Sequence, residues 1–340
     1  MSSSYMITNR KVESDGLGSK LDAANTSYFT SEQSGKALCS LNGWNKISAE
    51  KFRAQLMEEA DAFPQNSDLL QAEASNEEQK HVTLFIHGFN NDWVQAVERY
   101  QQIKKSMFTG AKGLGIPILF TWPSNGSAAA YLPDREDARA AAAQLADVFV
   151  HLHDHLSTMQ RAAAISNIRA GSVEGAKQTT VCRAKVSVIT HSMGNYVLQN
   201  ALAIASRKLN NPQLITLIHQ LVMVAADVDN DIFQKDRPED ADGSLMTNLC
   251  YRISAMYTGL DQVLGASAGL KHFGTRRLGR SGLSDKSTVW DNVFDMDVTA
   301  LLDGQPNIHS AVFDTAATRA LLVDTLRGVD RNLLVRDHLR

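Results

Sequence analysis

The stretch VSVITHSMG at residues 186–194 constrains the fold of this chain more than any other segment. Its first half is a short apolar, β-branched run of the kind that forms a buried parallel strand. A turn that carries Ser192 follows at once, and from Tyr196 onwards apolar residues recur at helical spacing. The sequence therefore predicts a strand, a sharp turn with a serine, and a helix.

This layout is that of a nucleophile elbow, which holds a serine hydroxyl clear of the sheet. A serine hydroxyl is a weak nucleophile until a neighbouring base takes its proton. The N-terminus of the following helix directs N–H groups and partial positive charge towards the place where an oxyanion develops. Ser192 is therefore a candidate nucleophile. The alternative is an ordinary helix N-cap, a position that serine prefers.

The first position of the elbow departs from its usual Gly-x-Ser-x-Gly pattern, because Thr190 replaces the first glycine. A small side chain is needed there, since the helix packs closely behind the strand. We expect the Thr190 side chain to face a space left by a small residue on a flanking helix. The alanines at 140–143 and Ala201 are the candidates for that small residue.

A second strand-to-helix connection, HVTLFIHGFNND at residues 81–92, also carries candidate chemistry. Its apolar half predicts a buried strand, and a helix should begin near Asp92. The His-Gly at the strand end resembles the loop that supplies one oxyanion-hole N–H beside a serine elbow. Phe89 and Met193 would then be the two backbone donors. The alternative is a plain turn in which Gly88 relieves steric strain and Asp92 caps the helix.

Strands and helices alternate along the rest of the chain, which predicts a mostly parallel central sheet flanked by helices on both faces. We expect one domain over residues 1–340, with a core at about 80–325 and N-terminal strands and a helix before it. The further segments are edge strands at 5–12 and 27–30, a helix at 44–63 with Ser48 as N-cap, a surface connection at 65–80, a strand at 116–122, a long helix at 133–159, a strand at 220–226, an exposed loop or small lid at 231–247, strands at 249–257 and 289–298, and a C-terminal helix from 312.

Composition excludes several classes of function. A net charge of −3 gives no basic footprint for nucleic acid, and no apolar run is long enough to span a membrane. The first residues, MSSSYMITNRK, lack the apolar core of a secretory signal. The three cysteines, Cys39, Cys182 and Cys250, contain no C-x-x-C pair, so we expect a cytoplasmic protein without a disulfide framework or zinc site.

Cofactor motifs are also missing from the sequence. No glycine-rich dinucleotide motif or Walker A loop is present. His151, His153 and His155 lie close together, but only the first and third share a helix face, so we expect a solvated helix end rather than a metal site. The sequence makes no prediction of the oligomeric state.

Four segments, TLFIHGFNN, ITHSMGN, AADVD and YTGLDQVL, together make the chain resemble the α/β-hydrolases. More narrowly, it resembles a bacterial group of α/β-hydrolase-like proteins of uncharacterised function, over roughly residues 80–325. The resemblance implies the α/β-hydrolase fold, a serine nucleophile, and a triad in the chain order Ser, acid, His. It implies no substrate.

Triad partners should lie on loops at the carboxyl ends of the strands, where α/β sheets place their ligands. His309 follows the last predicted strand and every candidate acid, so it is the expected base. His219 precedes a strand, which puts it at the wrong edge, and His272 precedes the last strand. For the acid we favour Asp261, after the penultimate strand, over Asp227, one strand earlier.

These residues predict a serine hydrolase that cleaves a carboxylic ester through an acyl-enzyme and needs no cofactor. Ser192 would attack the carbonyl carbon, His309 would transfer the proton, and Asp261 would orient His309. The expected partner is a small-molecule ester, with amides, thioesters and lipid esters left open. The threonine at position 190 leaves open a non-catalytic binding or scaffold protein of the same fold.

Overall fold

A nine-stranded sheet forms the centre of the protein in the computed structural model, which describes residues 3–14, 16–63, 80–110, 112–124, 131–170, 185–210, 216–238, 241–271 and 274–340. Most of the predicted connection at 65–80, together with Cys182 and His272, lies outside these residues. The strands are β1 (Ser4–Thr8), β2 (Arg10–Glu13), β3 (Gly16–Leu21), β4 (Ser27–Ser31), β5 (Asn45–Ile47), β6 (His81–Ile86), β7 (Gly115–Thr121), β8 (Lys185–His191), β9 (Ile218–Val224), β10 (Cys250–Tyr257) and β11 (Val293–Asp297).

The sheet is mostly parallel, as the alternation of segments predicts. Its order is β11-β10-β9-β8-β6-β7-β1-β4-β5, and β2 pairs with β3 in a separate hairpin. All neighbours from β11 to β1 are parallel, whereas β4 and β5 are added antiparallel. Strand β8 therefore lies in the interior of the sheet, and its carboxyl end meets those of β6 and β9.

Helices cover both faces of the sheet, which confirms the predicted architecture. Successive β8 residues face opposite layers: Val188 packs with α3 and α4, and Ile189 packs with α2 and α9. The helices are α1 (Ala49–Asp61), α2 (Trp93–Ile103), α3 (Tyr131–Ala170), α4 (Gly194–Leu209), α5 (Asp242–Leu249), α6 (Gln262–Ala266), α7 (Leu278–Ser281), α8 (Thr299–Leu302), α9 (Ala316–Arg327) and α10 (Arg331–His338). None of the described helices has the length and apolar character needed to cross a bilayer.

The N-terminal segments differ from the prediction in their place in the sheet. Strand β1 is not an edge strand, because it lies between β7 and β4 and all five of its residues are buried. The predicted helix at 44–63 begins only at Ala49, since residues 45–47 form the edge strand β5. Its N-cap is Ser48 as expected, with Oγ accepting a hydrogen bond from the Lys51 N–H.

The segment at 231–247 is not an exposed loop throughout. Ile232 and Phe233 are buried, and α5 begins at Asp242. That helix leads directly into the first residue of β10. This residue lies at the amino ends of the parallel strands, whereas the elbow lies at their carboxyl ends. A lid role for the residues before α5 stays a prediction.

Candidate active site

Ser192 forms the turn between β8 and α4 and has a left-handed backbone conformation, with φ 53°. Such a conformation costs a non-glycine residue on the order of 1–3 kcal/mol. Main-chain hydrogen bonds tie it to the end of β9 and the residues after it: the Ser192 N–H donates to Val224 O at 3.0 Å, and the Asp227 N–H donates to Ser192 O at 3.2 Å. The Asn195 N–H also donates to Ser192 O, at 3.1 Å. The N-cap of α4 is Met193, so the alternative of an ordinary serine N-cap is wrong.

Two glycines allow the chain to pass close to this turn. A Cβ atom on Gly88 would lie 2.8 Å from Ser192 Cβ and 3.0 Å from His191 Nδ1. A Cβ atom on Gly194 would lie 2.5 Å from the main-chain oxygen of His87. The loop after β6 and the start of α4 are therefore in direct contact across the elbow, which only residues without side chains permit.

Thr190 is held by a polar contact within the elbow, and the expected space beside a small residue stays a prediction. Its Oγ1 donates to Asn195 Oδ1, on the first turn of α4. The Asn195 side-chain amide donates in turn to Ser192 O at 3.0 Å and to Val224 O at 3.3 Å. Both side chains are fully buried. The threonine hydroxyl thus orients an asparagine that ties the strand ends to the elbow.

His309 and Asp261 are in direct contact, with His309 Nδ1 2.7 Å from Asp261 Oδ2. Asp261 is fully buried at the N-cap of α6, where its Oδ1 accepts a hydrogen bond from the Leu264 N–H at 2.9 Å. Because an ionised carboxylate only accepts hydrogen bonds, His309 Nδ1 carries the proton of this contact. The other nitrogen, Nε2, is then the one that can take up a proton.

Ser192 and His309 lie at the same edge of the sheet, because β8 and β10 end there and His309 follows β11. Within the described part of the chain, no hydrogen bond joins Ser192 Oγ to the His309 imidazole. Catalytic hydrogen bonds are often long in ligand-free sites and shorten when substrate binds.

Asp227, the alternative acid, is engaged in a different network. Its Oδ1 accepts from Ser267 Oγ and from Arg277 Nε, both at 2.9 Å, and its Oδ2 accepts from Tyr131 Oη at 2.7 Å. Burial alone would raise the pKa of Asp227, but the Arg277 guanidinium and these hydrogen bonds hold it below its usual value. Arg277 is itself fully buried and also pairs with Asp229.

The proposed oxyanion donors lie on either side of the elbow. Met193 is fully buried, and its N–H has no hydrogen-bond acceptor among the described residues. Phe89 is half-buried, and its ring meets the edge of Tyr131 with centroids 5.4 Å apart. The Asn91 side-chain amide donates to Phe89 O at 2.8 Å, which fixes the loop that carries this donor.

His87, in the same loop, is a structural residue. Its ring stacks on Trp122, Nδ1 donates to Gly88 O at 2.9 Å, and Nε2 accepts from the Trp122 N–H at 3.2 Å and lies 3.0 Å from Thr121 Oγ1. Burial lowers the pKa of His87 to about 3, so the ring is neutral near pH 7. A neutral, fully bonded ring of this kind holds the loop in place.

The other candidate histidine within the described residues, His219, is the second residue of β9 and therefore lies at the opposite edge of the sheet from Ser192, as expected. It stacks on Tyr251 at the corresponding end of β10. Sequence reasoning did not single out Arg277, Ser267 or His191. Arg277 lies 50 residues from Asp227 in the chain, and no local pattern marks such a long-range pair.

A mostly parallel sheet with helices on both faces, and a sharp serine turn between strand β8 and helix α4, is the architecture of the α/β-hydrolases. The chain belongs to the family described as alpha/beta hydrolase of unknown function (DUF900), whose sequence model matches residues 64–165 and 176–325. Among curated proteins, none matches this sequence.

Two solved structures are distantly similar to this chain. Lipase B of Aspergillus fumigatus is 12% identical with a TM-score of 0.35, and the match covers 77% of this chain and 58% of the lipase. A hyperthermophilic esterase from the archaeon Pyrobaculum calidifontis is 13% identical with a TM-score of 0.31, covering 77% of this chain and 78% of the esterase. This chain thus spans less than two thirds of the lipase.

Proposed function

We propose that this protein is a serine hydrolase that cleaves carboxylic esters of small molecules, with Ser192 as nucleophile, His309 as base and Asp261 as the acid that orients it. The observation that carries the proposal is the 2.7 Å contact between His309 Nδ1 and Asp261 Oδ2. The carboxylate is fully buried, and the pair lies at the sheet edge where the left-handed turn presents Ser192. This combination supports acyl transfer better than passive binding.

In the first half of the proposed reaction, His309 Nε2 takes the proton of Ser192 Oγ while Oγ attacks the ester carbonyl carbon. The carbonyl oxygen becomes an oxyanion that the Met193 and Phe89 N–H groups stabilise. Asp261 stabilises the imidazolium formed at this stage. The tetrahedral intermediate then breaks the carbon–oxygen bond to the alcohol, which leaves with the proton from His309.

In the second half, water attacks the acyl-enzyme and His309 takes a proton from it. The new tetrahedral intermediate expels Ser192 Oγ, which recovers its proton from His309, and the carboxylic acid is released. This sequence requires His309 Nε2 to reach Ser192 Oγ when substrate is bound. An adjustment of the His309 side chain on binding, with its main chain held in place, would supply that contact.

The proposal is tested by labelling the protein with a fluorophosphonate probe, mapping the modified residue, and assaying hydrolysis of p-nitrophenyl acetate. We expect the label on Ser192, and Ser192→Ala should lose on the order of a millionfold in turnover. Ser187→Ala is the matched control, because Ser187 is a buried serine of the same strand whose Oγ contacts His81. It should retain both labelling and turnover.

A folded wild-type protein that neither reacts with the probe nor hydrolyses the ester would overturn the proposal. That result would favour a non-catalytic binding protein of the same fold. Labelling at a residue other than Ser192 would likewise reject Ser192 as the nucleophile.

A further inference from the structure

His191 connects the nucleophile turn to the segment that carries His309. It directly precedes Ser192 in the chain, and its Nε2 lies 2.9 Å from the main-chain oxygen of His309. The two imidazole rings are 4.9 Å apart, and the His191 ring also meets the Phe313 ring edge-on at 5.5 Å. His191 is therefore packed between the elbow and the chain on both sides of the proposed base.

The direction of this hydrogen bond is fixed by its chemistry. A carbonyl oxygen can only accept, so His191 Nε2 carries a hydrogen and donates it to His309 O. Burial, and then the nearby His309, lower the pKa of His191 to about 3. The ring is therefore neutral near pH 7 and acts as a fixed donor rather than as a second proton carrier.

Apolar packing holds the neighbours of His309, since Ile308 packs against the core and Ala311, Val312 and Phe313 are buried in it. Residues 303–310 form turns between α8 and a short 3-10 helix at Ala311–Phe313, and their main-chain hydrogen bonds are local, such as the Ser310 N–H to Asn307 O at 3.0 Å. For His309 itself, the described residues supply two anchors. Asp261 holds the side chain, and His191 holds the main chain.

We infer that His191 is a positioning residue for the proposed base: its Nε2–H fixes the main chain of His309 so that the imidazole stays within reach of Ser192. The inference rests on the proposed function, since it assigns His191 a task only if His309 takes the serine proton. It gives the residue between Thr190 and Ser192 a role beyond filling the core. The role requires a side-chain N–H that can donate to His309 O, and this group need not belong to a histidine.

Two substitutions at this position separate donor chemistry from packing. His191→Leu puts an apolar side chain of similar size in the same place, which leaves His309 O without its donor. His191→Gln places an amide N–H₂ group near the position of the imidazole Nε2, so it can still donate to His309 O. If His191 only fills the core, the turnover of the two variants should follow their stabilities. If His191 positions His309, turnover should instead depend on whether the new side chain can donate to His309 O.

The matched control is His81→Leu. His81 is likewise a buried histidine with a pKa lowered to about 3 by burial, and it lies at the start of β6. Six residues of strand separate it from the elbow, about 20 Å at the rise of a β-strand. Its replacement should lower the free energy of unfolding without changing the geometry of the candidate active site.

The experiment measures kcat and KM for p-nitrophenyl acetate and hydrogen–deuterium exchange of the peptide that covers residues 303–313. For His191→Leu we expect kcat to fall about 100-fold, the cost of a displacement near 1 Å, with KM little changed. Exchange in this peptide should rise. His191→Gln should recover most of kcat and restore the slow exchange, and His81→Leu should keep the wild-type kcat.

Each failure has its own signature. If His191→Leu keeps wild-type kcat and exchange, or if His191→Gln is as impaired as the leucine variant, the inference is wrong while the proposed function stands. If the wild type hydrolyses nothing, the proposed function fails and the catalytic role of His191 fails with it. The exchange data then still report whether the hydrogen bond holds the segment.

Discussion

Gly88 and Ser192 are so close that a Cβ atom on the glycine would lie 2.8 Å from the Cβ atom of the serine. The loop after β6 and the elbow after β8 are thus pressed together where the oxyanion donors are proposed. Any side chain at position 88 has to move the elbow, because the conflicting atom is Ser192 Cβ, which has no rotational freedom of its own.

We therefore expect Gly88→Ala to lower stability by about 1–3 kcal/mol, as overpacking does, and to reduce ester hydrolysis by more than the stability loss explains. Urea unfolding and kcat on the same samples measure the two effects. Gly269→Ala is the control, since a Cβ atom there meets nothing within 4 Å. An alanine at 88 with wild-type kcat would show that the elbow tolerates displacement.

Asp261 and Asp227 should respond differently to replacement by asparagine. Asp261→Asn keeps an oxygen for the cap of α6 but presents an amide to His309 Nδ1, which favours the wrong imidazole tautomer. Turnover should then fall about ten-thousandfold, with little change in stability.

Asp227→Asn should act mainly on folding, because it leaves the buried Arg277 with one carboxylate partner in place of two. We expect a loss of about 3 kcal/mol, the scale for breaking a buried ion pair. Thermal denaturation and kcat distinguish the variants. The reverse ranking in kcat would reassign the acid to Asp227.

The hydroxyl at position 190 should matter for stability. Thr190→Val removes the donor to Asn195 Oδ1 with little change in volume and leaves a buried acceptor without its partner, at a cost of about 1–3 kcal/mol. Thr190→Ser keeps the donor and should lose much less. Chemical denaturation of the two variants decides the point, and equal losses would show that the methyl group contributes as much as the hydroxyl.

Stability should fall as the pH is lowered below 6.5. Burial lowers the pKa of His81, His87 and His191 to about 3, so these rings stay neutral in the folded protein. In the unfolded chain they take up protons below their ordinary pKa of 6.5, and this favours unfolding. Each histidine should contribute a slope of about 1.4 kcal/mol per pH unit between those values.

Urea unfolding at pH 7, 6 and 5 measures that slope, and His81→Leu should make it shallower by the share of one histidine. A free energy of unfolding that is constant between pH 6.5 and 5 would contradict buried neutral histidines.

The parallel core could be predicted from sequence because its strands are continuous apolar runs and its turns carry their own signals. Asp92, for example, forms the capping box that its position before an apolar helix suggests, with Gln95 as the reciprocal partner. The expected proximity of His309 and Asp261 combined the triad order that the resemblance implies with the rule that parallel strands bring their carboxyl ends to one edge.

The remaining features depend on contacts that chain order does not encode. The interior position of β1 comes from pairing with β7, more than 100 residues later. The Thr190–Asn195 hydrogen bond was not predicted although the two residues are only five apart, because the usual glycine at the first elbow position makes no side-chain hydrogen bond. Arg277 became visible only once the fold had brought it to Asp227.

The place of β1 inside the sheet has a consequence for where this protein can be cut. The family match starts at residue 64, yet β1, β4 and β5 continue the same sheet beyond β7. A chain trimmed to the matched region would turn β7, with its buried Ile118, Leu119 and Phe120, into an open edge that invites self-association. The region of sequence similarity is therefore smaller than the sheet that it belongs to.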